Sequence, residues 1–235
     1  MKTTILFISF IFIFIIGTLS VHSQVTVTNS EILLDKLRLN KGINGTETAT
    51  YSTINGSPFL NSEFVKGQIT LISGEKSDAN LRYDVYANEM QIKEKSEIFA
   101  IFHPEIVKVI EIDSLKFVYS IYLKTLGDEN SKDASYFILK ADGKCQLLIK
   151  KNMRIQDAEP AKLYQDAKPA RFIPTKDTYY LKLKDENAVK IRNRKELLSV
   201  LGNQKESFSE FISLNKLSTN DIEDLFRIVS FYNGL

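Results

Sequence analysis

Catalysis needs nucleophiles, bases and charged groups within reach of one another, and this chain of 235 residues is poor in the usual ones. It contains two histidines, one cysteine and no tryptophan. His22 falls in the N-terminal leader described below, which leaves His103 and Cys145. His103 stands in IFHPEI, at a strand end before proline. Cys145 stands in an alternating run, where a small apolar side chain is the ordinary role. A reactive thiol wants a nearby base or a helix N-terminus, and neither is close in sequence. One His and one Cys cannot assemble a zinc or other soft-metal set. There is no Gly-X-Ser-X-Gly elbow, no dinucleotide fingerprint and no phosphate loop. The sequence predicts no catalytic residue, no metal and no cofactor.

Charged and aromatic residues leave four options. With 29 acidic residues, a carboxylate pair for sugar hydrolysis is possible, though the usual indole platform is missing. Residues 128–133 (DENSKD) offer oxygen ligands for calcium but lack the EF-hand spacing and its central glycine, and Lys132 opposes a cation. They read as a solvated loop. Lys190, Arg192, Arg194 and Lys195 gather cations at a helix start, where the dipole disfavours each by about 0.3–1 kcal/mol. An anion such as a lipid phosphate would relieve them, which makes the run a candidate anion site. Tyr83, Phe117, Tyr119 and Tyr179, with Tyr136 or Phe137, could line an apolar ligand site between sheet and helices.

The elements that must position these groups are mostly strands. Residues 81–93 (LRYDVYANEMQIK) alternate strictly, with Leu81, Tyr83 and Val85 on one face, the pattern of a half-buried strand. A two-residue loop at Ala87-Asn88 would set Val85 opposite Met90 and Tyr83 opposite Ile92. Further strands are expected at 68–72, 98–102, 106–112, 115–123, 135–140, 144–150, 178–184 and 188–191. Residues 115–123 place Leu115, Phe117, Tyr119, Ile121 and Leu123 on one face. Ala141-Asp142-Gly143 is a hairpin turn, since Asp-Gly supplies positive φ. Residues 158–174 carry three prolines and read as a long surface excursion. From Asn193 the period becomes helical: 195–201 ends at Gly202, 206–214 sets Phe208, Phe211 and Ile212 on one face, and Ser218 to Asp221 outlines a capping box. In the helix at 222–231, Ile222, Leu225, Phe226 and Val229 form the expected buried stripe. About ten strands and three short helices predict an α+β protein, a curved or barrel-like antiparallel sheet with a helical tail.

The first residues differ in kind. Lys2 precedes an apolar run of about twelve residues at 5–16, too short to span a bilayer, and Val21 and Ser23 suit a secretory cleavage site. The sequence therefore predicts a signal peptide at 1–23, an exported chain in the periplasm or outside the cell, and no transmembrane segment after cleavage. Residues 24–62 form an N-terminal segment with a short strand at 25–27 and a helix at 31–39. A Gly/Asn/Thr/Ser-rich linker follows at 40–57, in which Asn44 and Asn55 read as Asn-Gly turns. The β domain occupies 63–192 and the tail 193–235. Net charge is +2, with 43% hydrophobic and 26% charged residues, which argues against disorder and against nucleic acid as a partner.

GSPFLNSEFVKGQI, LRYDVYANEMQIK and the tail pattern KELLSVLG…FISLNKLSTNDIEDLFRIVSFYN resemble a group of uncharacterised exported β-rich proteins of Gram-negative bacteria, over residues 54–233. The resemblance implies an envelope location and a fold, and its motifs carry no activity. The resulting expectation is a non-catalytic envelope protein acting as an interaction or scaffold module, its partner an envelope protein or a lipid. Two others stand beside it: a periplasmic carrier of an apolar lipid or lipoprotein ligand, and a carboxylate-dependent hydrolase.

Overall fold

Alternating runs joined by Gly, Asn and Asp turns build ten strands. They are β1 (Val65–Leu71), β2 (Lys76–Asp84), β3 (Glu89–Glu94), β4 (Glu97–Ala100), β5 (Val107–Ile112), β6 (Leu115–Leu123), β7 (Lys132–Ala141), β8 (Cys145–Gln156), β9 (Arg171–Leu183) and β10 (Ala188–Lys190). Three helices follow: α1 (Arg194–Val200), α2 (Lys205–Leu214) and α3 (Ile222–Gly234). The computed structural model describes Leu37, residues 51–202 and residues 205–234. The leader expected at 1–23, the strand expected at 25–27, the turn expected at Asn44 and all but Leu37 of the helix expected at 31–39 lie outside the described residues. Leu37 is helical and fully buried in the sheet's core.

The strands form one sheet in the order β10-β9-β8-β7-β6-β5-β1-β2-β3-β4. All sequential neighbours are antiparallel, and β10 also pairs parallel to β6, through Ala188↔Tyr122 and Val189↔Leu123. That pairing closes β6 to β10 into a five-stranded ring, while β5 and β1 to β4 continue as a curled extension. A ring needs filling from within. Tyr122, Phe137, Leu148, Tyr180 and Ala188, one from each strand, do so, with Val118 and Leu139 beside them.

The other face of the same strands is also buried, in two places. Phe117, Tyr119, Tyr136 and Ile138 of β6 and β7 join the core of the curled extension, which includes Ile69, Leu81, Met90, Ile92 and Ile110. Cys145, Leu147 and Leu181 of β8 and β9 pack on Leu197, Phe208, Ile212, Leu225, Ile228 and Val229 of the tail. Double-sided burial corrects the expectation for β6. Ile121, assigned to the core face, is 49% exposed, while its neighbour Tyr122 turns into the ring.

Three other expectations need correction. The β2–β3 register is Tyr83↔Met90 and Leu81↔Ile92, two residues from the one expected, with the faces preserved because the shift is even. The loop is residues 85–88. The Asp84 carboxylate accepts from the Ala87 N–H at 2.8 Å, Asn88 takes φ 57°, and the Val85 N–H is drawn to the Pro58 carbonyl at 2.9 Å. Second, residues 158–174 are a continuation of the β8–β9 hairpin. The pairs Gln156↔Arg171, Glu159↔Lys168 and Lys162↔Gln165 keep one register to the apex. Pro174 is tolerated there because it lies on the stretch of β9 edge left open between β10, which pairs with Tyr180 and Leu181, and Asn55, which bonds to Ala170 and Phe172. Third, Phe226 is 37% exposed beside the Lys140 ammonium, and Ile228 takes its place in the buried stripe. The cap of α3 is Asp221 itself, whose Oδ1 accepts from Glu223 and Asp224 N–H groups at 2.9 and 3.0 Å.

Gly67 lies where β1 passes closest to its neighbours. A Cβ there would run into the Glu111 carbonyl oxygen and the Leu81 side chain, so the close approach of β5 to β1 needs glycine. The tail is fastened by Asn233, whose side-chain amide accepts from the Cys145 N–H at 2.8 Å and donates to the Cys145 carbonyl at 2.9 Å, acting as a strand partner.

Candidate functional site

The fold distributes the sequence candidates over separate places. Tyr83 and Phe117 sit 5.4 Å apart by ring centroid, and Tyr136 touches both Tyr83 (5.9 Å) and Tyr119 (5.1 Å). These rings pack against one another in the core of the curled extension. Tyr179 belongs to the tail's core on the far side of the ring, so the four residues proposed to share a ligand do not meet. The phenol of Tyr83 donates to Asn88 Oδ1 at 3.0 Å.

The basic run is divided in the same way. Asn193 caps α1, accepting from the Glu196 N–H at 2.9 Å, and Glu196 in turn accepts from the Arg192 N–H at 2.8 Å. The Glu196 carboxylate is thus the anion that offsets the cations at this helix start. The Arg192 guanidinium reaches Glu196 and the Lys124 carbonyl. Arg194 donates to Ser209 Oγ and Ser213 Oγ, both at 2.8 Å, tying α1 to α2. Lys190 stays in β10 opposite Tyr180, and Lys195 faces water.

His103 Nδ1 lies 2.8 Å from Glu105 Oε1 at the turn before β5. Glu105's own backbone hydrogen bond, then the one from His103, hold its carboxyl below the ordinary range. Cys145 is fully buried, and burial pushes its thiol up to about 12, so almost none of it is thiolate near neutrality. Asp128 closes its own loop by accepting from the Asn130 N–H, and Lys132 pairs with Glu129 at 2.8 Å. Among the described residues, no three His, Cys, Asp or Glu side chains are grouped to hold a metal.

Two features lay outside the sequence reading. A polar groove of about 550 Å3 opens around Gly67, lined by Lys66, Gln68, Asp78, Asn80, Glu111 and Asp113. Gln68 donates to Asp78 at 3.0 Å and Lys116 pairs with Glu111 at 3.0 Å, so two of its three carboxylates are already engaged. The other feature is the β8–β9 arm. Comparison with protein-family models, curated proteins and solved structures yields no match to this chain. The molecule's own surface is what remains to be read.

On that surface the arm is the clearest departure from a closed fold. From Asp157 to Pro169 nearly every residue is exposed, and its apex carries Leu163 and Tyr164 into water. Its base is held. A strap at residues 51–60 lays Asn55 along β9, donating to the Ala170 carbonyl at 2.8 Å and accepting from the Phe172 N–H at 2.9 Å. Tyr51, Tyr86 and Phe172 pack edge to face with centroids 5.2–6.0 Å apart, joining strap, β2–β3 loop and arm. A signal for the arm was present in the sequence. Glu159/Lys168 and Gln156/Arg171 are complementary pairs placed symmetrically about Leu163-Tyr164, and they bond across the arm at 3.1 and 3.0 Å.

Buried tyrosines make one measurable electrostatic consequence. Burial first, then neighbouring Asp84, raises the phenol of Tyr83 well above its ordinary range, and burial does the same for Tyr136. Each keeps its proton in the folded chain and loses it at about pH 10 when unfolded. The stability each contributes is whole below that pH and is lost as pH climbs through the raised folded value, by about 1.4 kcal/mol per pH unit per phenol. Denaturant midpoints are expected to stay level from about pH 7 to 9 and to fall above about pH 10. The share of the phenolate absorbance that belongs to these buried rings should appear only with unfolding. Complete ionisation of the tyrosines in the still-folded chain would show that these two phenols reach water.

Proposed function

We propose that this chain is an exported, non-catalytic protein of the Gram-negative cell envelope, working as an interaction or scaffold module. The leader at 1–23 and the resemblance over 54–233 support the location. The observation that carries the role is the β8–β9 arm: a hydrogen-bonded, in-register hairpin that leaves the body and ends in exposed apolar residues. A strand pair that only stabilised the ring would end near Lys150 and Thr178, where the ring's own pairing is complete. Large apolar side chains held in water away from the core mark a contact surface. The thiol is buried, the lone imidazole of the mature chain pairs with Glu105, and Arg192 and Arg194 of the basic run are taken up in capping and bracing the tail. None of these competes with the arm for the role.

The test is complementation of a strain lacking the gene. Replacing residues 158–169 by Asn-Gly, which suits a two-residue hairpin loop, is expected to leave the melting temperature within a few degrees and to abolish complementation. A chain with His103→Ala and Cys145→Ser is expected to complement fully. Full complementation by the shortened chain, or failure of a well-folded double variant, would overturn the reading.

A further inference from the structure

The apex of the arm combines two local choices that the fold itself does not require. Lys162 and Gln165 exchange both backbone hydrogen bonds, at 3.0 and 2.9 Å, and Glu159 and Lys168 do the same at 2.8 and 2.9 Å. Leu163 and Tyr164 are therefore a tight two-residue turn on a braced stem. Tyr164 has φ +66°, a left-handed conformation that Gly or Asn adopts freely and a bulky side chain rarely does. It is also 95% exposed and Leu163 is 84% exposed, the two highest values for large apolar side chains among the described residues. An Asn-Gly turn would close the same hairpin with neither disadvantage. Backbone strain and apolar exposure coinciding at one point indicate that the compensating contacts are made with another molecule.

The surroundings select what that molecule is. Pro160 and Pro169 interrupt the arm's edges, so adding a strand from another chain, or pairing arm with arm, is disfavoured. A lipid surface could take up Leu163 and Tyr164, yet a fluid bilayer gives no reason to hold Tyr164 in one strained orientation. Nor does the charge suit an anionic one: residues 157–168 carry Asp157, Glu159 and Asp166 against Lys162 and Lys168, a net of −1 from two positive and three negative. A folded protein with an apolar pocket does reward a pre-ordered aromatic anchor, because little side-chain freedom is lost on docking.

We propose that Leu163 and Tyr164 form an anchor that inserts into an apolar pocket of a partner protein. The Tyr164 phenol finds a hydrogen bond inside it, and Lys162 and Asp166 meet opposite charges at its rim. This rests on the reading of the chain as an interaction module and names the contact. The experiment places a photo-crosslinking residue at position 163 of the full chain in its own cells. The protein in the resulting adduct is identified by mass, purified, and titrated calorimetrically against the mature chain. Tyr164→Gly is expected to leave the melting temperature unchanged or raised, since it removes the strain, while weakening binding about 30-fold or more. Tyr164→Phe should weaken it several-fold, and Ile121→Ser, an exposed apolar residue on the ring, should have no effect. A split between stability and binding is something a merely structural role for Tyr164 would not produce. The proposal is overturned by binding that survives Tyr164→Gly, by no adduct, or by an adduct with a second copy of this chain. It is equally overturned if vesicles of about 3:1 phosphatidylethanolamine and phosphatidylglycerol bind the chain and release the Tyr164→Gly variant. A partner that ignores the apex variants but loses the arm-shortened chain would sink the anchor and leave the interaction-module reading standing. Complementation by the shortened chain would sink that reading too.

Discussion

Replacing Phe137 by Ala is expected to destabilise the protein by about 3–5 kcal/mol. Phe137 projects from β7 into the five-stranded ring and is 1% exposed. Its ring meets Tyr180 at 5.0 Å and Tyr122 at 5.8 Å, both edge to face. The interior is small, and its remaining members are anchored on four separate strands, so they cannot easily close over the vacated space. Losing the side chain also removes two aromatic contacts worth about 0.5–1.5 kcal/mol each beyond area. The shortest member of the ring should respond first. β10 has three residues and joins β6 by two pairs only, so amide exchange at Val189 and Lys190 is expected to accelerate before that of β8. Phe137→Leu, which keeps most of the volume, should cost much less. A loss below about 1 kcal/mol for Phe137→Ala, measured by denaturant unfolding, would mean that the ring is not closed around it.

The second large effect is expected at a turn. Asn88→Gly should cost roughly 3 kcal/mol, although glycine suits the φ of 57° at that position at least as well. The reason is the side-chain oxygen. Asn88 Oδ1 accepts from the Tyr83 phenol at 3.0 Å, from Ser135 Oγ at 2.8 Å and from the Tyr136 N–H at 3.2 Å. The pairing of β7 with β8 runs only as far as Ile138↔Ile149, so the loop between β2 and β3 supplies the acceptor that β8 does not. Tyr136 and Tyr83 are both 3% exposed, and the N–H and phenol stranded there cost about 1–3 kcal/mol each, less whatever an entering water recovers, while Ser135 Oγ can turn to the Tyr136 carbonyl at 3.1 Å. Asn88→Ala should be worse than Asn88→Gly, because it adds a left-handed penalty of about 1–2 kcal/mol. Equal stability of wild type and Asn88→Gly would show that the bonds to β7 contribute nothing.

Both residues illustrate where sequence reasoning stopped. The Ala87-Asn88 turn is legible, because Asn tolerates positive φ, but local pattern gives a loop of two residues where the structure has four. What lengthened it was Pro58, remote in the chain, whose carbonyl captures the Val85 N–H. Phe137 was read as one of two alternatives for an inward aromatic. The structure uses both, Tyr136 on one face of β7 and Phe137 on the other, because both faces of that strand are covered. The arm was missed because Leu163-Tyr164 carries none of the usual turn residues and three prolines argued against pairing. Arg194 could not be separated from Lys195 by sequence, since its partners Ser209 and Ser213 arrive only when α2 folds back.

Taken alone, the sequence determined the parts that depend on near neighbours. Period-two alternation located ten strands, with the bounds of β6 identical to those observed, and Asp and Gly marked turns now seen at Gly143 and Asp185. The change of period at Asn193 gave the three tail helices, because a helix is set by contacts three and four residues apart. It determined equally that the chain is short of histidine and cysteine. Only the tertiary structure decided that β10 closes on β6, that β6 and β7 bury both faces, and that Arg192 and Arg194 of the basic run take partners within the molecule while Lys195 faces water. It alone decided that residues 158–169 stand out as an arm. Those outcomes rest on pairs distant in the chain, and period-two alternation says only that a residue faces one side or the other. Which side is covered, and by what, is settled when the strands meet.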